Sequence, residues 1–572
     1  MQTNESKRKE NDVIGATPKG FRDVLPEEAA ERERIIQQIK GYFSERGYQP
    51  VETPLFESHE LFSRGAHLAE TPFQLFDHDG QQLVLRPDLT MSVARMVATR
   101  FRREDGPFRL RYAAPVVRDQ VSIGDPRQFT QLGIELIGDA ASTADAEVVT
   151  ALAGLLDELG IKPWRIVCGD VRILQTVLDA CAPDEAFKKD VRAFINDSDL
   201  VCLDEYVEEA RARGAISDGF AHVISALPRT FGGLDALDAV DDLMISVGLP
   251  CDVTAPLRTL YAAARKAGFD DHLVCDLTIM AAFDYYTGVV FKGYCADVAD
   301  SLAAGGGYDS IFERLGFDPM RAAGLAISLE RLERALSIVD FGVAAKSWAP
   351  DEQRPLRIAV PKGSLFADSV AALEAVGLDV SELREPGRRL IIPTADGSVE
   401  YVIVRPTDAP AFVARGGADC GMCGRDSLIE ASLNVIQLVD LRYGACRFVV
   451  AEPEEAAGKA ERAHAWRGSI RVSTKYPRIT RDYYERKGQQ VDIIPLHGNI
   501  ELGPIVGMSD RIVDITATGT TLRENNLVVV DEVLRCSARF FASPAALRND
   551  DRVRALSAQL AAWAQEREAA GA

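Results

Sequence analysis

At Gly342-Val-Ala-Ala-Lys-Ser-Trp-Ala-Pro-Asp-Glu-Gln-Arg-Pro355 the periodicity of the chain stops. A stretch with Pro350 and Pro355, small residues and charges, and no apolar face at helical or strand spacing reads as a linker. It divides residues 13–341 from residues 356–572, and residues 1–12, polar and mixed in charge, read as a loose tail. A chain of 572 residues carries about three domains on a prior of about 100–200 residues each.

The two sides of the break have different textures. In the first, Ile35, Ile36, Ile39, Tyr42 and Phe43 lie on one helical face between Glu27 and Arg46, and Gly47 ends the helix. Leu83–Leu85, Phe108–Val117, Thr130–Ile137 and Phe283–Tyr294 read as strands, close in sequence with few helices between them. The expectation is an α+β domain on a mainly antiparallel sheet, with an Ala- and Leu-rich helical insertion at about 162–271. The second side alternates short apolar runs (Arg357–Val360, Tyr401–Val404, Arg447–Val450, Ser469–Val472, Val491–Ile494, Ile512–Ile515) with helical windows. That is the α/β pattern of parallel strands under covering helices. A terminal helix from Pro544 to about Gln565 aligns Val553, Leu556, Leu560 and Trp563.

Charge and cysteine usage then narrow the function. Sixty-five Lys and Arg against 86 Asp and Glu leave a net charge of −21, a field that repels a phosphate backbone. Anionic small substrates stay possible, because a local cluster of arginines or a bound cation governs the potential inside a cleft. Ten cysteines scattered through apolar stretches suit buried thiols in a reducing compartment, so the expected location is the cytoplasm. No apolar run is long enough to span a bilayer. Cys420-Gly-Met-Cys423 has metal-ligand spacing but no second ligand pair, and reads as two apolar positions in a packed strand and turn.

The most informative segment is Ile512-Val-Asp-Ile-Thr-Ala-Thr-Gly-Thr-Thr-Leu522, an apolar strand running into a Thr/Gly turn and a helix start. Such a turn can aim backbone N–H groups and the hydroxyls of Thr518, Thr520 and Thr521 around Gly519 at one phosphate, with Asp514 placed to accept from ribose hydroxyls. An ordinary capped helix start has the same composition. The surrounding blocks decide between them. Val360-Pro-Lys-Gly-Ser-Leu365, Val404-Arg-Pro-Thr-Asp408, Ala418-Asp-Cys-Gly-Met-Cys-Gly-Arg-Asp426, Ser473-Thr-Lys-Tyr-Pro477 and Leu496-His-Gly-Asn-Ile-Glu501 precede it in order. Together they resemble ATP phosphoribosyltransferase across the whole second half.

The resemblance implies a two-lobed, periplasmic-binding-protein-like α/β fold with the active site between the lobes. It implies attack of adenine N1 of ATP on the anomeric carbon of phosphoribosyl pyrophosphate, with Mg²⁺ carried on the substrates. Arg388, Arg405 and Lys362 match the positions of the catalytic cations. Asp514, Thr518, Gly519, Thr520, Thr521, Glu501, Asp419 and Lys475 match substrate-binding positions. The family usually has Arg where this chain has Ser364. No histidine-binding regulatory domain follows the terminal helix, so the half resembles the short form, which works with a regulatory partner.

The first half resembles that partner. Gly47–Pro54, Leu85-Arg-Pro-Asp-Leu-Thr90, Val116–Asp119 with Arg127–Glu135, Phe283-Asp-Tyr-Tyr-Thr-Gly288 and Ala323–Arg331 are similar to the class II core of histidyl-tRNA synthetase. They are more similar still to its paralogue, the regulatory subunit of ATP phosphoribosyltransferase. Asp88, Thr90, Arg118, Gln131, Glu135, Tyr285 and Tyr286 match amino-acid-contacting positions, which implies a pocket for histidine. The departures argue against aminoacylation. Ala281-Ala-Phe283 replaces the synthetase's Arg-Gly-Leu, Asp119 stands in place of Glu, Ser328 in place of Gly, and only the linker follows where an anticodon-binding domain would stand. The expectation is therefore a fusion that performs the first step of histidine biosynthesis, takes histidine as feedback effector, binds no tRNA or membrane, and assembles as a homo-oligomer, a tetramer by analogy. The rivals are a tRNA synthetase with an appended domain and a non-catalytic solute-binding module.

Overall fold

The computed structural model describes residues 17–65, 72–119, 126–138, 143–181, 184–279, 285–295, 298–340, 354–456, 458–516 and 519–569. The expected tail, most of the linker, Thr518 and the Ala281-Ala-Phe283 departure lie outside them. The chain forms two compact units, residues 1–185 with 214–343, and residues 186–213 with 344–572.

The first unit is built on a nine-stranded sheet. Its order is Gln49–Pro50, Phe108–Val117, Gln128–Ile137, Ala322–Ser328, Ala303–Gly307, Val289–Cys295, Trp164–Asp170, Leu273–Asp276 and Phe231–Gly232. Every pairing is antiparallel except Gln49↔Leu110 near one edge and Ile166↔Leu273 near the other. The α+β expectation holds. Helix Pro26–Glu45 buries Ile35, Ile39, Tyr42 and Phe43, the i, i+4, i+7, i+8 stripe of a one-sided helix, and Gly47 follows it at φ +83°.

The helical insertion needs correction at both its start and its membership. Trp164–Asp170 is a strand of the main sheet, so the helices begin at Val171. Trp164 and Ile166 are fully buried, and the β-branched run Ile166-Val167 fits a strand interior better than a helix. Residues 186–213 group with the second unit, not the first. There Asp199 bridges to Gln437, Cys202 Sγ lies 2.7 Å from Arg425 Nη2, and Glu205 pairs with the buried Arg539 at 3.3 Å.

The second unit holds two mixed sheets. One runs Ile391–Pro393, Val399–Val404, Leu356–Pro361, Cys420–Gly424, Ala538–Ala542, Ile436–Asp440, and the other Val491–Pro495, Ile470–Thr474, Arg511–Thr516, Cys446–Pro453, Leu527–Cys536. The expectation of parallel strands holds in part: Leu356–Pro361 and Ile470–Thr474 have parallel neighbours on both sides, whereas Ala538–Ala542 and Cys446–Pro453 pair antiparallel on both sides. Apolar runs buried on both faces look alike in sequence whichever way they run. The chain passes from the first of these sheets to the second after Asp440 and returns after Cys536. The single terminal helix is two, Pro544–Asn549 and Asp551–Ala569, because Asp550 is extended and its carboxylate accepts from Arg552 N at 3.0 Å. Val553, Leu556 and Leu560 are buried as expected, with Trp563 half-buried against Tyr443.

Cys420 and Cys423 both sit in one strand, three residues apart, and so face opposite sides of the sheet. Cys420 joins the core with Met422 and Phe540, and Cys423 the core with Val413 and Phe541. Two thiols on opposite faces cannot share one ion. Among the described residues no helix is long and apolar enough to cross a membrane.

Candidate functional site

The first unit buries a cluster of polar side chains among apolar ones. Glu135 lies on the central strand Gln128–Ile137, is 0% exposed, and accepts three hydroxyl hydrogen bonds: Thr90 Oγ1 at 2.9 Å and Tyr112 at 3.1 Å on Oε1, Tyr308 at 2.6 Å on Oε2. Burial raises its carboxyl to about 8, and the hydroxyl donors oppose the rise without cancelling it. Asp88, also buried, accepts from Met91 N at 3.2 Å through Oδ1, and its Oδ2 has no hydrogen-bond partner among the described residues. Burial pushes the Asp88 carboxyl up, and the nearby Arg118 pulls it down less strongly.

The other matched positions gather at the same place. Gln131 accepts from Leu89 N at 3.0 Å, and Arg118 donates to Pro87 O at 3.1 Å while its guanidinium stands 5.0 Å over the Phe129 ring. The rings of Tyr285 and Tyr286 stand 4.8 Å apart, with Tyr308 edge-on to Tyr285 at 6.2 Å. All seven matched positions of the first half therefore belong to one locality. Glycines make the room: a Cβ at Gly324 would stand 1.7 Å from Glu135 Oε2, and one at Gly306 would stand 2.8 Å from the Tyr286 ring. Sequence reading missed Tyr112 and Tyr308. The signal for Tyr308 was the Gly305-Gly-Gly-Tyr-Asp309 run, which lets strands crowd the cluster and then supplies a phenol.

In the second unit the matched cations sit at strand ends. Lys362 follows strand Leu356–Pro361 and Arg405 follows its parallel neighbour Val399–Val404; Lys362 N donates to Val404 O at 2.8 Å. Both side chains are exposed at the carboxyl end of the sheet, and Arg388 is exposed as well. Adjacent parallel strands place such residues about 4.8 Å apart at the backbone.

The phosphate-loop candidates occupy the equivalent edge of the other sheet. Lys475 follows Ile470–Thr474, and Asp514 lies near the end of the parallel strand Arg511–Thr516. Burial lifts the Asp514 carboxyl to about 6, its bond from Ile515 N at 2.8 Å opposes this, Glu501 adds to it, and Lys475 reduces it. These three charges form one electrostatic cluster. Gly519 takes φ +72° and donates its N–H to Thr516 Oγ1 at 2.7 Å, the left-handed turn that opens helix Thr520–Glu524 and that a side chain would strain. Thr520 and Thr521 are exposed on its first turn.

Asp419 does not join either group. It lies at the amino end of strand Cys420–Gly424, buried, accepting from Arg354 Nη2 at 2.5 Å and Arg357 N at 2.8 Å. Five residues of strand separate Arg357 from Lys362, roughly 16 Å at about 3.3 Å per residue, so its carboxylate braces the far edge of the sheet. Asp426 was overlooked. It is buried at the start of helix Arg425–Ala431, within electrostatic reach of Lys475, and burial raises its carboxyl.

The histidyl-tRNA synthetase family model matches residues 20–332, and the ATP phosphoribosyltransferase model residues 405–562. An ATP phosphoribosyltransferase of Rubrobacter xylanophilus is 52% identical over 195 residues, 34% of this chain and 89% of the relative. An ATP phosphoribosyltransferase regulatory subunit of Clostridium acetobutylicum is 31% identical over 323 residues, 56% of this chain and 78% of the relative. The chain belongs to the ATP phosphoribosyltransferase family, regulatory subunit and transferase fused. A crystal structure of a Bacillus halodurans ATP phosphoribosyltransferase regulatory subunit/histidyl-tRNA synthetase superposes with a TM-score of 0.52 at 27% identity, covering 68% of this chain and 93% of that one. In this chain the buried cluster around Glu135 lies in the regulatory half, and the strand-end residues Lys362, Arg405, Lys475 and Asp514 and the Gly519 turn lie in the transferase half.

Proposed function

We propose that the fused enzyme joins adenine N1 of ATP to the anomeric carbon of phosphoribosyl pyrophosphate at the carboxyl strand ends of its second unit, and that its first unit binds histidine as a feedback effector. The observation that carries the catalytic part is the gathering of Lys362 and Arg405 at one parallel strand edge and of Lys475, Asp514 and the Gly519 turn at another. Open α/β sheets bind ligands outside the carboxyl ends of their strands. The two sheets, connected by two chain crossings, are those expected of a two-lobed periplasmic-binding-protein-like fold with a cleft between them.

The chemistry asks for positioning and charge stabilisation. The leaving pyrophosphate gathers negative charge, so Lys362, Arg405 and Arg388 act as the cations that receive it, and the N–H groups and hydroxyls of Thr520 and Thr521 beyond the Gly519 turn hold the 5′-phosphate. Asp514 and Glu501 accept from the ribose hydroxyls. Mg²⁺ arrives with the pyrophosphate as part of the substrate, and no protein ligand to it is assigned.

In the regulatory half, Glu135 and Asp88 offer carboxyl oxygens to the ammonium and imidazole N–H groups of histidine, whose positive charge favours their ionised form, Gln131 and Thr90 add polar partners, and Tyr285, Tyr286 and Tyr308 wall a flat ring. The buried Asp88 Oδ2 supports this, since an unpaired buried carboxylate oxygen calls for a donor. Histidine acts by binding two quaternary states unequally, in a homo-oligomer assigned as a tetramer in the cytoplasm.

The test couples two measurements. Phosphoribosyl-ATP formation, followed by absorbance with ATP, phosphoribosyl pyrophosphate and Mg²⁺, is inhibited by histidine in the wild type. Tyr286→Ala retains basal turnover and loses the inhibition; unchanged inhibition moves the effector elsewhere. Histidine-dependent pyrophosphate exchange into ATP would favour a synthetase instead.

A further inference from the structure

Cys446 and Cys536 stand directly opposite one another in the antiparallel pair Cys446–Pro453 and Leu527–Cys536. Directly opposed residues of an antiparallel pair have Cα atoms about 4.5–5.5 Å apart, inside the range of about 4.4–6.8 Å that a disulfide spans. Cys446 is half-buried and Cys536 is buried, so one sulfur is open to a reagent and the other waits behind it.

Their place in the fold gives the pair a consequence. Cys446 is the first residue of the strand reached after the chain leaves one sheet of the second unit at Asp440, and Cys536 is the last residue before it returns at Ala538. The two crossings already touch: Leu441 N donates to Ala538 O at 2.9 Å, Ala538 N to Tyr443 O at 2.9 Å, and Ser537 Oγ to Asp440 Oδ1 at 2.8 Å. A covalent bond there would fasten together the two chain connections that link the sheets among the described residues.

We propose that Cys446 and Cys536 are a redox-active dithiol whose oxidation staples the two crossings and restrains movement between the two sheets. The Cys446 thiolate attacks a sulfur of a low-molecular-weight disulfide, forming a mixed disulfide and releasing one thiol. Cys536 then attacks the Cys446 sulfur and displaces the second thiol. One external disulfide is reduced to two thiols as the protein dithiol is oxidised. Cys446, the more accessible of the two sulfurs, makes the first attack, and the buried Cys536 opposite it resolves the mixed disulfide. The other paired cysteines lack these properties. Cys168 and Cys275 are register partners in a parallel pair, both fully buried in the first unit, and Cys420 and Cys423 face opposite cores.

The effect on turnover rests on the interlobe cleft proposed above; the bond itself does not. The full chain is incubated with glutathione disulfide, alkylated, digested and mapped by mass spectrometry. The expected product is a Cys446–Cys536 linked peptide two hydrogens lighter than the dithiol, reversed by dithiothreitol. Cys536→Ser stops at a Cys446–glutathione adduct, and Cys446→Ser leaves Cys536 unmodified. The linked enzyme turns over at least severalfold more slowly, and Cys446→Ser is insensitive to the oxidant. Modification of the exposed Cys251 with no 446–536 link overturns the dithiol. A complete link with unchanged turnover overturns its action on catalysis, and the linkage map separates that from a failure of the bond to form.

Discussion

Tyr308 donates its phenolic O–H to Glu135 Oε2 at 2.6 Å across 173 residues of sequence. Strand Ala322–Ser328 runs between their elements, and only the absence of a side chain at Gly324 lets the bond form. This buried cluster is therefore set by a glycine, a phenol and a carboxyl from three separate segments.

Removing the phenolic hydroxyl with Tyr308→Phe leaves Oε2 buried without its donor, at a cost of about 1–3 kcal/mol. The expected results are a lower melting temperature and histidine binding weakened about tenfold by calorimetry. Binding equal to wild type would remove Tyr308 from the pocket. The raised Glu135 carboxyl carries a pH signature too. Its folded value of about 8 lies above the ordinary 4.5, so its contribution to stability is fully present below about pH 4.5 and is lost as pH rises through 8. Hydrogen exchange in strand Gln128–Ile137 quickens over that window, and Glu135→Gln flattens the dependence.

Arg405→Ala removes a cation from the end of a strand whose own residues are buried, and its side chain is exposed. The fold survives by circular dichroism, while kcat/KM falls by about 10²–10³, the usual loss for one charge-stabilising group. Kinetics near wild type would exclude Arg405 from the site.

Asp419→Ala behaves oppositely. It leaves the Arg354 guanidinium and the Arg357 N–H without their acceptor, a loss of about 2–4 kcal/mol for a largely buried pair. Thermal unfolding shifts down, and kcat and KM measured well below the transition stay within about twofold. A large drop in kcat with unchanged stability would return Asp419 to the substrate.

Asp514, lifted to about 6 by burial, must be ionised to accept from ribose hydroxyls. The pH profile of kcat/KM for phosphoribosyl pyrophosphate falls below about pH 6, and Asp514→Asn abolishes that acid limb while lowering the plateau. An acid limb that survives in the variant belongs to another group.

The grouping of the candidate site residues was legible to the extent that they are contiguous with strands. Lys362, Arg405, Lys475 and Asp514 each sit at or near the end of a short apolar run, and the alternation of such runs with helical windows carries that position in one dimension. Asp419 stands apart from them because it precedes its apolar run, at the opposite end of a strand, and strand direction decides which edge a residue joins. Tyr112 and Tyr308 escaped because each is one aromatic residue in a strand or loop, and nothing local marks which face meets Glu135.

By itself the sequence determined that two differently textured bodies share one chain, that each is wrapped around sheets, and which ordered blocks carry a nucleotide-sugar chemistry. Period and turn composition are local properties of the backbone, and they survive without partners. Tertiary structure alone decided that Trp164–Asp170 belongs to the main sheet, that residues 186–213 pack with the second unit, and that Cys446 faces Cys536. Each is a pairing between segments far apart in the chain, chosen by which buried faces and hydrogen-bonding edges fit, and no local pattern encodes the partner.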